Sequence, residues 1–276
     1  MKKLIALVLA LVMALSLVAC ASSGNKNSAD GTTAAKNDAA GTTAAQTEAA
    51  SFTTIEEGKL IMATNAEFPP YEMTDDDGKY IGIDVEIAQK IAEKLGLELE
   101  ILDMAFDAAL LAVNEGKSDI VMSGVSVTED RKLVMEFSTT YTTAVQKVII
   151  KEGSDVTLDN LGEKMIGAQR GTTGYIYACD DYGDDHVNAY ETGAIAIQAL
   201  NNGQIDCVII DSAPAAEFVK ANPGLKLIDG DWVTEEYAIG FNKGNTQLVE
   251  AVNKCLAEMI ADGTIDAINS KYITAE

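Results

Sequence analysis

Glu115-Gly116-Lys117-Ser118-Asp119-Ile120-Val121-Met122 returns further along the chain as Asn202-Gly203-Gln204-Ile205-Asp206-Cys207-Val208-Ile209. Each copy reads as a helix end, a glycine, two residues, an aspartate and an apolar strand. The echo argues for two lobes built alike, although a glycine stop is common to any αβ unit. The surrounding segments point the same way. Lys59 to Thr64 has strand character and runs into a polar and aromatic loop, Asn65-Ala66-Glu67-Phe68-Pro69-Pro70-Tyr71. Asp84 to Leu95 carries Val85, Ala88, Ile91, Ala92 and Leu95 at helical spacing and stops at Gly96. Asp107 to Glu115 is a second helix, closed by Gly116. This alternation predicts an α/β fold with mostly parallel sheets. Lys147 to Lys151 is an extended apolar run suited to carry the chain from one lobe to the other, and Tyr237 to Phe241 to carry it back. Asn245 caps a long amphipathic helix, Thr246 to Ala261, and a last helix runs from about Ile265 to Tyr272.

The chain has 276 residues, enough for one large domain or two ordinary ones. Its net charge of -23 excludes the electrostatic footprint of a nucleic-acid binder and repels anionic lipid. A hydrophobic content of 47% supplies a core. One histidine leaves no His-cluster metal site, and no cofactor or metal is expected. Arginine is scarce: Arg131 and Arg170 stand among a large excess of lysine.

The first residues, MKKLIALVLALVMALSLVAC, read as a charged start, an apolar run from Leu4 to Val18, and small residues leading to Cys20. Leu17-Val18-Ala19-Cys20 looks like a bacterial lipobox, in which the Cys20 thiol receives a diacylglycerol before cleavage. The alternatives are an uncleaved anchor or an Ala-x-Ala site. Residues 1–19 are then a signal peptide, and Cys20 anchors the protein at the outer face of the cytoplasmic membrane. Residues 20–53 carry a near-repeat, GTTAAKNDAA and GTTAAQTEAA, with little that can be buried. They read as a flexible tether or a plain spacer. Cys207 and Cys255 read as buried thiols; with Cys179 they allow one disulfide, which the sequence does not choose.

No Walker loop, HExxH, GxSxG or strand-borne GxGxxG is present. Asp75-Asp76-Asp77-Gly78 reads as an acidic hairpin turn, because Met73 stands where a calcium loop needs its first ligand. Binding chemistry is better represented. Ser123-Gly124-Val125-Ser126-Val127-Thr128-Glu129-Asp130-Arg131 follows an apolar strand and offers hydroxyls, backbone N–H groups, a cap at Thr128 and an arginine. Donors near a helix start and a guanidinium fork suit a carboxylate. Gln169-Arg170-Gly171-Thr172-Thr173-Gly174 is a second strand-to-helix loop, in which Arg170 reads more readily as a solvated side chain. Asp211 ends a strand ahead of Pro214, where it can accept from an ammonium, cap the next helix, or do both. Phe68, Tyr71 and Phe106 can wall a pocket or fill a core. A carboxylate site, an ammonium site and aromatic walls describe an α-amino acid held between two lobes.

At Gly82-Ile83-Asp84-Val85-Glu86-Ile87-Ala88-Gln89-Lys90-Ile91-Ala92-Glu93-Lys94-Leu95 the chain resembles the family 3 bacterial solute-binding proteins, the amino-acid receptors of ABC importers. The resemblance covers nearly everything after the tether. It implies a two-lobed, periplasmic-binding-protein-like fold of type II with two hinge crossings. Lobe 1 would be residues 54–144 plus 240–276, and lobe 2 residues 145–239. By matching positions, Arg131 clamps the carboxylate with Ser126 and the backbone of Gly124 and Thr173. Asp211 and the Ser123–Gly124 backbone hold the ammonium. Phe68 and Phe106 sandwich the side chain. Asn65, Glu67, Tyr71 and Gln169 line the specificity pocket, with Thr172 in the same second-lobe loop. Many relatives carry Asp at the Asn65 position, so Asn65 weakens an arginine or lysine assignment while Glu67 leaves it open.

The expected function is a monomeric, lipid-anchored receptor that captures a free amino acid, polar or basic, and delivers it to an ABC permease. The competing expectation is an enzyme on the same fold, such as a cyclohexadienyl-type dehydratase, for which Glu67 is the acid–base candidate. A surface adhesin without ligand is a third, opposed by the intact Arg131 and Asp211.

Overall fold

The computed structural model describes residues 52–273. The expected leader, Cys20 and the linker up to residue 51 lie outside the described residues. In chain order the elements are β1 (Lys59–Thr64), β2 (Glu67–Phe68), β3 (Glu72–Thr74), β4 (Tyr80–Ile81), α1 (Ile83–Leu95), β5 (Glu98–Asp103), α2 (Phe106–Asn114), β6 (Ile120–Val121), α3 (Glu129–Val134) and β7 (Met135–Phe137). Then come β8 (Thr142–Lys151), β9 (Ile166–Gln169), α4 (Thr173–Tyr182), β10 (Val187–Tyr190), α5 (Gly193–Asn201), β11 (Cys207–Asp211), α6 (Ser212–Ala221), β12 (Leu225–Leu227) and β13 (Val233–Tyr237). The chain ends through β14 (Gly240–Asn242), α7 (Thr246–Ala261) and α8 (Thr264–Tyr272).

Two main sheets centre the two lobes, and β2, β3 and β4 form a small antiparallel sheet of their own. Of the main sheets, the first has the order β5-β1-β6-β14-β7, the second β10-β9-β11-β8-β12 with β13 also on β8. β1 runs parallel to β5 and β6, and β9 runs parallel to β10 and β11, as right-handed αβ units require. The remaining pairs, β14 with β6 and β7 and β8 with β11, β12 and β13, are antiparallel. The sheets are therefore mixed and not mostly parallel. The antiparallel part comes from the strands flanking each crossing, which enter a sheet from the other lobe without a helical crossover.

The first crossing also differs from expectation. The chain leaves the first sheet after Phe137 and joins the second at Thr142. Lys147 to Lys151 is not a crossing; it is the interior of β8, flanked by β11 and β12. Its apolar side chains Val148, Ile149 and Ile150 fill the second lobe's core. The expected boundary at 144–145 falls just inside β8. The return crossing, from Tyr237 to Gly240, lies where the sequence placed it.

The helices are built as the periodicity indicates. Ile83, Ile87 and Ile91 of α1 are fully enclosed against Leu248, Val252, Leu256 and Met259 of α7 and their neighbours. Each such side chain stabilises by about 1.5–3 kcal/mol relative to exposure. Gly82 must be glycine: φ is +129°, and a Cβ would lie 2.2 Å from the Tyr71 carbonyl oxygen. Cys207 lies in β11 and Cys255 in α7, both buried, and with Cys179 all three are free thiols. Asp75 Oδ1 accepts from the N–H groups of Asp77 and Lys79, the expected acidic hairpin turn. Among the described residues no helix is long and apolar enough to cross a membrane.

Candidate ligand-binding site

The carboxyl ends of β1, β6, β9 and β11 face one cleft, the usual location for ligands on parallel strands. A pocket there is lined by Asn65, Phe68 and Phe106, by Ser123, Gly124, Ser126 and Arg131, and by Gln169, Thr172, Thr173 and Asp211. The expected site residues are thus brought together except Tyr71 and Glu67. Tyr71 sits behind the pocket, stacked on Phe68 with ring centroids 5.9 Å apart and edge-on to Tyr237 at 5.2 Å. Glu67 is exposed and pairs with Met73 in the β2–β3 hairpin, away from the pocket. Alternation along β2 turns Phe68 inward and so turns Glu67 out. Arg170 is exposed as well.

Arg131 is held from several sides. The Thr128 hydroxyl caps α3 by accepting from the Arg131 N–H at 3.2 Å. The guanidinium donates to the carbonyls of Ser126 at 2.8 Å and Gly171 at 3.0 Å. It lies 5.6 Å from the centre of the Phe106 ring, in cation–π range. Burial pulls its pKa down, opposed by the carboxylates of Glu235 and Asp211; it remains a cation. Across the cleft, Gln169 donates to Asn65 Oδ1 at 2.8 Å.

Asp211 is the last residue of β11 and stands at the cap position of α6, but its side chain makes no capping bond. Its Oδ1 is buried without a partner. Burial, then the nearby Glu235 charge, pushes its pKa up to about 7. An oxygen so placed favours a cation.

The Ser123–Ser126 loop rests on a buried acidic pair. Asp84 Oδ2 accepts from the Gly124 N–H at 2.9 Å and Oδ1 from the Tyr141 hydroxyl at 2.8 Å. Glu72 accepts from the Ser123 hydroxyl at 2.6 Å. The Gly124 N–H is therefore engaged by Asp84 and is not free for a ligand carboxylate. Gly124 has φ +55°, and a Cβ would lie 2.9 Å from the Phe68 ring.

Sequence reasoning missed Glu235 and its neighbour Gln146. Glu235 Oε2 accepts from Ser126 and Thr173 hydroxyls, both at 2.9 Å, and from the Gln146 amide at 3.0 Å. Glu235-Glu236 reads as two more acids in an acidic chain. The available signal is the alternation in β13, which places Glu235 on the face of the buried Tyr237.

The pocket is narrow. Its cavity volume, measured as room for the centre of a water molecule, is about 10 Å³, close to the minimum that holds one water. A guanidinium, a carboxylate with an open oxygen, and two aromatic rings enclosed between hinged lobes form a site for a small polar solute.

Residues 60–275 match the bacterial extracellular solute-binding proteins, family 3. The chain belongs to that family. Among relatives of this solute-binding protein is the L-cystine-binding protein TcyJ of Escherichia coli (strain K12), 30% identical over 80% of this chain and 85% of that protein. Among solved structures, an ancestral arginine-binding protein bound to glutamine matches with a TM-score of 0.76 at 37% identity, over 80% of this chain and all of the other (100%). The Streptococcus pneumoniae substrate-binding protein AbpA, bound to L-arginine, matches with a TM-score of 0.74 at 35% identity, over 78% and 94%. These fix the solute-binding protein's fold as the two-lobed type, and family members are solute-binding proteins rather than enzymes.

Proposed function

We propose that this chain is an extracytoplasmic receptor that binds a free amino acid with a polar or basic side chain and delivers it to an ABC permease. It acts as a monomer, held at the outer face of the cytoplasmic membrane by lipid on Cys20 and the tether that follows. Arg131 takes the ligand carboxylate and Asp211 the ammonium. Phe68 and Phe106 cover the side chain, whose polar end meets Asn65 and Gln169. The moving bodies are the two lobes, divided at the crossings between Phe137 and Thr142 and between Tyr237 and Gly240. Ligand contacts from both sides favour the closed arrangement over the open one.

The observation that carries this reading is one buried guanidinium sharing a pocket with one buried carboxylate whose Oδ1 has no partner. Relatives that bind cystine, arginine and glutamine support an amino acid and leave its side chain open. The exposure of Glu67 removes the acid–base group on which a dehydratase would rest. A thermal-shift screen of the twenty amino acids tests the reading. A ligand at about 100 times its Kd stabilises by roughly 2.7 kcal/mol, so at least one should raise the melting temperature; no shift at millimolar concentrations contradicts it. Cys20→Ala should move the protein from the membrane fraction to the soluble one, and unchanged membrane retention contradicts the lipid anchor.

A further inference from the structure

We propose that Glu235 is a positioning residue of the cleft, which ties its two sides together beside a crossing and sets the hydrogen-bonding sense of two pocket hydroxyls. Glu235 does not line the pocket; it touches the residues that do. Ser126 belongs to the loop after β6 in the first lobe, Thr173 to the start of α4 in the second. Both donate to the same carboxylate oxygen at 2.9 Å. Gln146 of β8 donates to that oxygen at 3.0 Å and anchors the carboxylate to the second sheet. Glu235 lies two residues before the crossing at Tyr237. The Ser126 loop is itself paired to that crossing, through Val127 N–H to Glu236 O at 2.9 Å and Ala238 N–H to Val125 O at 3.1 Å. A bridge this close to the hinge has a short lever arm, so it fixes the relative placement of the two hydroxyls tightly.

A hydroxyl has one proton to donate and two lone pairs. With their protons engaged by Glu235, Ser126 and Thr173 present lone pairs to the pocket. They then accept from a ligand and do not donate to its carboxylate. The carboxylate is left to Arg131, and the hydroxyls join Asp211 on the ammonium. This assignment rests on the amino-acid reading above. The tie between the lobes does not, since it is a contact of the protein with itself.

Two variants separate these parts. Small-angle scattering of the full chain, with no amino acid added, reads the tie. Glu235→Ala should raise the radius of gyration above wild type, while Glu235→Gln, which keeps an accepting oxygen, should not. An unchanged radius in Glu235→Ala, or an equal rise in both variants, overturns the tie. Calorimetry with L-arginine and L-glutamine, and with their des-amino analogues 5-guanidinopentanoate and glutaramate, reads the hydroxyls. Glu235→Ala should lose at least tenfold in affinity for the amino acid that wild type binds, and less than threefold for its des-amino analogue. Equal losses overturn the assignment of the hydroxyls to the ammonium. If wild type binds neither amino acid, that counts against the proposed ligand class, and scattering still decides the role of Glu235.

Discussion

Arg131 on α3 donates through Nη2 to the carbonyl oxygen of Gly171, 3.0 Å away on the opposite lobe. The same guanidinium holds the Ser126 carbonyl on its own side. One side chain thus contributes both to the enclosure of the cleft and to its only positive charge among the pocket-lining residues. Arg131→Ala should weaken amino-acid binding at least tenfold, because a hydrogen bond to a charged group is worth about 1.5–3 kcal/mol. Calorimetry measures this; an unchanged affinity would move the carboxylate site elsewhere.

Asp211 carries a pH dependence. Its pKa is raised to about 7 by burial and by the charge of Glu235, whereas an unfolded Asp titrates near 3.9. Between those values the folded chain holds a proton that the unfolded chain has lost. This group's contribution to stability is therefore present at low pH and declines as pH rises through about 7. Ammonium binding has the opposite sign, since it needs the ionised form. Affinity for a bound amino acid should increase from pH 6 to pH 8 in wild type. It should be weaker and flat across that range in Asp211→Asn.

Glu72 and Asp84 are buried together beneath the Ser123–Gly124 loop, and burial raises both carboxyls, Asp84 to about 6. Neighbouring groups act on the two in opposite senses: the Asp84 charge raises Glu72, and the Gly124 N–H draws Asp84 back down. With folded values above unfolded ones, stability falls as pH rises through the window above about 4. Glu72→Gln keeps an acceptor for Ser123 and removes one titrating acid. Denaturant unfolding should show it near wild type at pH 5 and more stable than wild type at pH 8. A variant that is destabilised at pH 8 contradicts a cost of ionising Glu72 in its buried place beside Asp84.

Gly124→Ala tests the close packing of the loop. A Cβ would meet the Phe68 ring at 2.9 Å and the Tyr237 ring at 3.1 Å, on a backbone with φ +55°. Overpacking of this kind costs about 1–3 kcal/mol. Unfolding in urea should register it, and binding should weaken with it because Phe68 is displaced.

Much of the fold was legible because its signals are local. The helical stripe from Val85 to Leu95 and the glycine after it need no partner to be read. The pocket residues were legible for a similar reason: they follow strands, and Arg131 is one of two arginines. The first crossing was not. Lys147 to Lys151 and Ser138 to Tyr141 are both extended, and only their pairing partners tell a sheet interior from a passage between sheets. Glu67 and Phe68 are adjacent, so the loop motif marked both, while strand alternation sends them to opposite faces. Glu235 was hidden because its role depends on Ser126 and Thr173, brought to it from distant parts of the chain.

The most direct test of the receptor assignment is isothermal titration of the protein against each of the twenty amino acids, paired with Arg131→Ala and Asp211→Asn. The account predicts saturable one-site binding of at least one polar or basic amino acid, lost or weakened at least tenfold in both variants. No binding of any amino acid at millimolar concentration, or binding that both variants retain unchanged, would contradict it.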